Sequence, residues 1–337
     1  MKRYSAIMTL GLLTIMLSAG CETKETQKVP TQTPSTQKPH KVNRTPWREK
    51  DMTDDRYAYI ANDYVQIGVD LGRGGGIFHF STRKYKVNRL NHADEGRFIQ
   101  QSYYGNDGNS YWWSNNKWTW NPIQGGGSDG QSAKVKKSKM TDSTILVVTT
   151  PMQWGRSTEG GPCVLAEDCE MTEFITLKDR YAILDFTFKY SGDKDLGKRS
   201  QEVPAMFCDW DLGKFARYTG DAPWTGDKLT ITIPAILEGI SNPNKASTQS
   251  EEWCAYVNNK YYGIGLYTPG TDTAVYYTAG TGPGGATAGS CSYFAPIRNL
   301  HIKPGFELNY KAYLTIGTIE EIRQTFTEIH DSLTKEE

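Results

Sequence analysis

The run His92-Ala93-Asp94-Glu95-Gly96-Arg97-Phe98-Ile99-Gln100-Gln101-Ser102-Tyr103-Tyr104-Gly105 is unusually rich in chemistry. It packs an imidazole, two carboxylates, a guanidinium, two amides and two phenols into fourteen residues. Only Phe98 and Ile99 are plain core material. Paired donors and acceptors at this density, beside flat aromatic faces, suit a ligand made of hydroxyl groups. Asp94 and His92 are candidate proton-transfer groups. Arg97, Gln100, Gln101, Tyr103 and Tyr104 are candidate substrate contacts. The competing reading is a solvated loop held by an Arg97–Asp94 ion pair.

A second cluster follows. Trp112, Trp113, Trp118 and Trp120 fall within nine residues, and Asn121 and Gln124 come directly after them. Pyranose C–H faces stack on indole, and amides read the hydroxyls at the ring edge. Trp118, Trp120, Asn121 and Gln124 are therefore candidate sugar contacts, with Trp154 in Met152-Gln153-Trp154-Gly155 as a further one. The competing reading is a hydrophobic plug beneath a long loop.

Three further acids stand among apolar neighbours. Glu173 shares an alternating face with Met171, Ile175 and Leu177. Glu202 alternates with Pro204 and Met206, and Glu252 with Cys254 and Tyr256. Burial raises the pKa of such acids and suits a general acid. With Asp94 they supply the two carboxylates that glycoside hydrolysis places across one bond. Elimination from a uronate needs other parts: Arg97, Gln100 and Gln101 to neutralise the carboxylate, and His92, Tyr103 or Tyr104 as base. Hydrolysis ranks slightly ahead because carboxylates outnumber plausible His bases, and glycan capture without cleavage is the third possibility.

The elements that position these residues read as strands. Period-two alternation dominates from about Tyr57 to Gly317. Ala182, Leu184, Phe186, Phe188 and Tyr190 share one face, as do Phe306, Leu308, Tyr310, Ala312 and Leu314. Other expected strands are 64–69, 76–81, 144–149, 170–177, 228–233, 253–257, 261–267 and 273–278. One helix is expected at the end. Thr318 and Glu321 form a capping box, and Ile319, Ile322, Phe326, Ile329 and Leu333 make one apolar stripe. The pattern predicts an all-β chain, a large antiparallel two-sheet sandwich with one C-terminal helix.

The start of this region carries a resemblance. Ile60-Ala61-Asn62-Asp63-Tyr64-Val65-Gln66-Ile67-Gly68-Val69 leads to Gly74-Gly75-Gly76-Ile77-Phe78-His79-Phe80 and then Asn88-Arg89-Leu90. With Ile302-Lys303-Pro304-Gly305 before the last long strand, this resembles galactose-mutarotase-like super-sandwich domains. The resemblance implies a carbohydrate-active domain, because that fold occurs in sugar epimerases, glycosidase accessory domains and polysaccharide lyases.

The N-terminus reads as an address. Lys2 and Arg3 precede an apolar run from Ala6 to Leu17, too short to span a bilayer. Leu17-Ser18-Ala19-Gly20-Cys21 resembles a bacterial lipoprotein signal, which implies lipidation of Cys21 and anchoring to a membrane outside the cytoplasm. Residues 22–46 are rich in Thr, Gln, Lys and Pro and read as a disordered tether. Residues 47–337 then form the single expected β-domain.

Charge narrows the partners. Of 337 residues, 38 are Lys or Arg and 38 Asp or Glu. Residues 1–46 hold seven basic and two acidic residues, so the remainder is about five charges negative. This excludes a nucleic-acid binder that relies on bulk positive charge. A glycan and, through the anchor, a membrane are the expected partners. Gly280-Thr281-Gly282-Pro283-Gly284-Gly285 matches G-x-G-x-x-G only literally, since it opens no helix. With no Walker motif, zinc signature or nucleophile elbow, no cofactor or metal is expected. Cys163 and Cys169 bracket a short loop and are the expected disulfide, and the remaining cysteines are expected as buried thiols.

Overall fold

In the computed structural model the described residues are 56–91, 96–105, 120–157, 160–234, 236–237, 245–279 and 290–336. They form 21 strands, one short 3-10 turn and one helix. The first eleven strands are β1 (Tyr57–Ala61), β2 (Val65–Asp70), β3 (Gly76–Thr82), β4 (Ile99–Ser102), β5 (Pro122–Ile123), β6 (Lys134–Met140), β7 (Thr144–Thr150), β8 (Met152–Arg156), β9 (Cys163–Leu165), β10 (Cys169–Lys178) and β11 (Tyr181–Tyr190). The rest are β12 (Gly197–Cys208), β13 (Lys214–Arg217), β14 (Thr230–Thr232), β15 (Ile236–Leu237), β16 (Lys245–Thr248), β17 (Trp253–Val257), β18 (Tyr262–Tyr267), β19 (Thr273–Ala279), β20 (Cys291–Ile302) and β21 (Glu307–Thr318), followed by α1 (Ile319–Glu336).

Two sheets result. The larger has twelve strands along the path β1-β2-β3-β4-β12-β20-β19-β15, with β5, β8, β9 and β16 attached beside it. The smaller has nine, in the order β14-β13-β17-β18-β21-β11-β10-β7-β6. All pairings are antiparallel except the short parallel contact of β15 with β19. The expected two-sheet β-sandwich is what the chain forms.

Alternation explains the packing. Ala182, Leu184, Phe186, Phe188 and Tyr190 are all buried on one face of β11, and Tyr310, Ala312 and Leu314 of β21 lie on the same inner face. Ala182, Leu184, Phe186, Tyr310, Ala312 and Leu314 meet Ile67, Val69, Ile77, Phe80 and Ile99 of the larger sheet in the main core, while Phe188 and Tyr190 join a second cluster with Tyr103 and Trp120. Removing a fully buried side chain of this size from water contributes about 1.5–3 kcal/mol.

The opposite face of the smaller sheet is covered by α1. Ile319, Ile322, Phe326 and Ile329 pack on Trp253, Ala255, Val257, Tyr267 and Tyr313. The helix starts with the expected capping box: the Thr318 N–H donates to Glu321 Oε2 at 2.9 Å, and the Glu321 N–H to Thr318 Oγ1 at 3.2 Å.

The expected disulfide is corrected. Cys163 and Cys169 are free thiols, and all five described cysteines are buried. Cys163 lies with Ala133 and Met152, whereas Cys169 lies with Tyr103, Phe188 and Tyr190, so the two thiols enter different apolar clusters. Cys163 Sγ instead donates to the Trp154 carbonyl at 3.4 Å, and Cys169 Sγ to Asp168 Oδ1 at 3.5 Å.

Candidate functional site

Strand β4 has two faces with different roles. Ile99 and Gln101, with Tyr103 just after the strand, lie between the sheets, while Gln100 and Ser102, with Tyr104 just after them, lie on the other side beside Ala205 and Glu202. This division sorts the candidates of the 92–105 run.

The inward group is a buried polar network. Tyr103 OH donates to Gln101 Oε1 at 3.0 Å, and Gln101 Nε2 to the Thr172 carbonyl at 3.0 Å. Gln124 Oε1 accepts from the Gln101 N–H at 3.1 Å, and Gln124 Nε2 donates to Glu173 Oε2 at 3.0 Å and to the Gly74 carbonyl at 3.3 Å. Asn121 Nδ2 donates to the Tyr103 carbonyl at 2.7 Å. Gly74 is required here, because a Cβ would fall 1.9 Å from the Gln124 carbonyl oxygen, and its φ is +64°.

Gln101, Tyr103, Asn121 and Gln124 are sequence candidates for ligand contacts and Glu173 for a general acid, and the structure gives all five interior positions. Gln101, Tyr103, Asn121, Gln124 and Glu173 are each at most 5% exposed. Trp120 is corrected as a sugar platform: it is 2% exposed, set edge-on to Phe188 and Tyr190 in the core. Glu173 is pushed up to about 8 by burial, against the Gln124 hydrogen bond that lowers it. Its place between the sheets makes it a structural acid.

Glu252 is also corrected. It precedes β17 with φ of 51°, which breaks the alternation expected with Cys254 and Tyr256. Its Oε2 accepts the Gly270 N–H at 3.0 Å. The buried acid is its neighbour Glu251, bound by Arg323 Nε at 3.1 Å, by the Trp253 indole at 2.8 Å and by the Trp224 N–H at 2.8 Å. It anchors α1.

The outward group converges on Glu202. Strand β12 lies between β4 and β20, with Glu202 opposite Ser102 on one side and Ile297 on the other. A register shift between Glu202 and Met206 breaks the expected alternation. Met206 enters the main core, whereas Glu202 joins the outer side with Ala205 and Phe207. Tyr293 OH donates to Glu202 Oε1. Tyr104 and Ser102 also hydrogen-bond this carboxyl, and Ser102 Oγ donates to the Tyr104 hydroxyl at 3.3 Å. The Tyr293 ring stacks on Tyr277 of β19 at 4.4 Å and leans on Phe207 at 4.8 Å.

Burial raises the Glu202 pKa more than the three hydroxyls lower it. Burial likewise pushes the Tyr104 and Tyr293 phenols well above their ordinary range, with the Glu202 charge next in effect. The arrangement is therefore a carboxyl whose burial favours its protonated form, ringed by hydroxyls and aromatic rings. It can donate a proton and hydrogen-bond a polyol.

The remaining candidates lie around this face or outside the description. Gln100 is 4% exposed, and the backbone of Gly125 lies so close that a Cβ there would sit 2.2 Å from Gln100 Oε1. Arg97 is half-buried, with its carbonyl accepting Asn91 Nδ2 at 2.9 Å. Trp154 is half-buried on β8, its N–H bound to the Asn121 carbonyl. His92, Asp94 and Trp118, like Cys21, lie outside the described residues. Ser102, Phe207, Tyr277 and Tyr293 were not singled out from sequence. Tyr293 alternates with Ala295 and Ile297, a faint strand signal, but its meeting with Glu202 depends on pairing between distant strands.

No protein-family model matches the chain, and no curated protein matches it in sequence. Similar solved structures include a galactose mutarotase related enzyme from Lactobacillus acidophilus, with TM-score 0.45, 11% identity, and coverage of 77% of this chain and 97% of that one. A galactose mutarotase-like protein from Lactobacillus casei has TM-score 0.46 and 12% identity, over 77% of this chain and 99% of that one. A 4-alpha-glucanotransferase from Thermococcus litoralis has TM-score 0.45 and 10% identity, over 78% of this chain and 38% of that one.

Proposed function

We propose that the chain binds a glycan on the outer face of the larger sheet and that Glu202 is the proton donor there. The observation that supports this reading is the Glu202 carboxyl itself, 8% exposed and surrounded by the hydroxyls of Ser102, Tyr104 and Tyr293. The half-buried Tyr277 ring, backed by Tyr293, is the aromatic group there that matches the apolar face of a pyranose. A carboxyl whose pKa is raised by burial suits protonation of a glycosidic oxygen, which makes hydrolysis the reaction favoured. Asp94 is the sequence candidate for the second carboxylate that hydrolysis uses. Elimination fits less well, because burial keeps the Tyr104 and Tyr293 phenols from ionising to the basic form.

Glycan capture without cleavage is the second reading. The observation that favours it is that the described partners of Glu202 are hydroxyls rather than a second carboxylate. A polysaccharide panel separates the two, read for reducing ends, for unsaturated uronate absorbance and for retardation in glycan-containing gels. Hydrolysis expects reducing ends that fall about 100-fold or more in Glu202→Gln. Retardation without product selects capture. New ultraviolet absorbance selects elimination and overturns the Glu202 acid role.

Cys21 is the proposed lipidation site, and the Thr/Pro-rich segment behind it would hold the domain away from the membrane. This extracytoplasmic placement brings it to large external glycans.

A further inference from the structure

Arg217 ends β13 and is 9% exposed. Its guanidinium reaches from the smaller sheet to the larger. Nε donates to Ser247 Oγ on β16, and Nη1 to Thr232 Oγ1 on β14 at 3.0 Å. The group also lies 5.2 Å from the Phe215 ring centre and 5.3 Å from that of Tyr276.

Two other shielded arginines have carboxylates, Arg89 with Asp211 and Arg323 with Glu251, while half-buried Arg298 donates to the Thr271 hydroxyl and the Pro269 carbonyl. Arg217 meets no carboxylate among the described residues. Two neutral hydroxyls satisfy N–H groups but leave the positive charge uncompensated, and a buried cation without a counterion is heavily penalised. Two further groups are free to donate. Nη2 reaches no described acceptor and is not sealed from solvent. Thr232 Oγ1 accepts from Arg217 and donates to no described acceptor. Ser247 Oγ, by contrast, already turns to the Thr248 carbonyl at 3.5 Å.

We propose that Arg217, framed by Thr232 and Ser247, is an oxyanion site that takes a carboxylate or phosphate group. A guanidinium with one open edge beside a donor hydroxyl is the arrangement that binds such planar or tetrahedral oxyanions. Nothing in this site depends on the glycan reading of Glu202.

Thermal unfolding of the whole chain tests it, titrated with sodium phosphate or sodium acetate against sodium chloride at constant ionic strength. Specific binding raises Tm along a curve that saturates at millimolar anion, whereas general salting-out rises without saturating. Saturation with phosphate alone identifies a phosphate group as the ligand chemistry, and saturation with acetate a carboxylate. Arg217→Gln should abolish the saturable rise. If Arg217→Gln does not fold, the pair Thr232→Val and Ser247→Ala should weaken the apparent affinity about tenfold or more, since each removes one hydroxyl of the frame. No saturable rise in the wild-type chain, or the same rise in the variants, overturns the proposal.

Discussion

Glu173 and Glu202 are both buried carboxyls with raised pKa values, and their surroundings give them different work. Glu173 is sealed between the sheets, 1% exposed, with a pKa of about 8. Its stabilising proton is fully held below the ordinary glutamate pKa of about 4.5 in folded and unfolded chains alike. Above that value the unfolded chain loses the proton first, so stability falls as pH rises and the loss is complete once pH passes about 8. The full swing is on the order of 4–5 kcal/mol. Glu173→Gln should therefore flatten the Tm profile between pH 5 and 9 and raise Tm at the alkaline end. An unchanged alkaline decline would assign that decline to another group. Glu202 lies on the other side of the larger sheet at 8% exposure, and if it is the proton donor proposed, hydrolytic activity should decline on the alkaline side as it ionises. That these acids would be buried was legible from their apolar neighbours. Which face each one occupies was not, because the register shift after Glu202 reverses the alternation without any mark in the residue types.

Among the elements, α1 and the central strands of the smaller sheet were the most legible. β11 and β21 have one face in the core and read as clean alternation, and Thr318 with Glu321 marks the helix start. β12 and β20 were harder to see. Their residues Gln201–Cys208 and Cys291–Pro296 are buried on both faces, so no polar alternation distinguishes inside from outside. Those same strands carry Glu202 and Tyr293, which is why half of the candidate site was missed. The helix depends on Glu251, which is fully buried and paired with Arg323. Arg323→Met leaves that carboxylate without its cation and should destabilise the fold by about 3 kcal/mol or more in chemical denaturation. Thr318→Ala should cost about 1 kcal/mol. If Arg323→Met were no more damaging than Thr318→Ala, the helix would be held by its apolar stripe alone.

At the scale of the molecule, the sandwich assigns its outer faces unequally. The smaller sheet packs α1 on its outer side, while the larger carries Glu202 within a group of buried Phe207 and Tyr293 and half-buried Tyr277. The two-sheet architecture was legible because long alternating strands and one terminal helix leave few other solutions. The Trp-rich run drew attention for its composition, yet Trp120 serves the core, because an indole next to Phe188 and Tyr190 gains more from burial than from display. At this scale the anchor is also testable: Cys21→Ser should move the protein from the detergent phase to the aqueous phase after partitioning, and an unchanged distribution would remove Cys21 from the account. The central claim concerns the outer face, and reducing-end release by the wild-type chain and Glu202→Gln on the same glycan panel tests it most directly. The account predicts release by the wild type, a fall of about 100-fold or more in the variant, and unchanged Tm and gel retardation for both. A variant as fast as the wild type, or a wild-type chain that neither cleaves nor is retarded by any glycan, would contradict it.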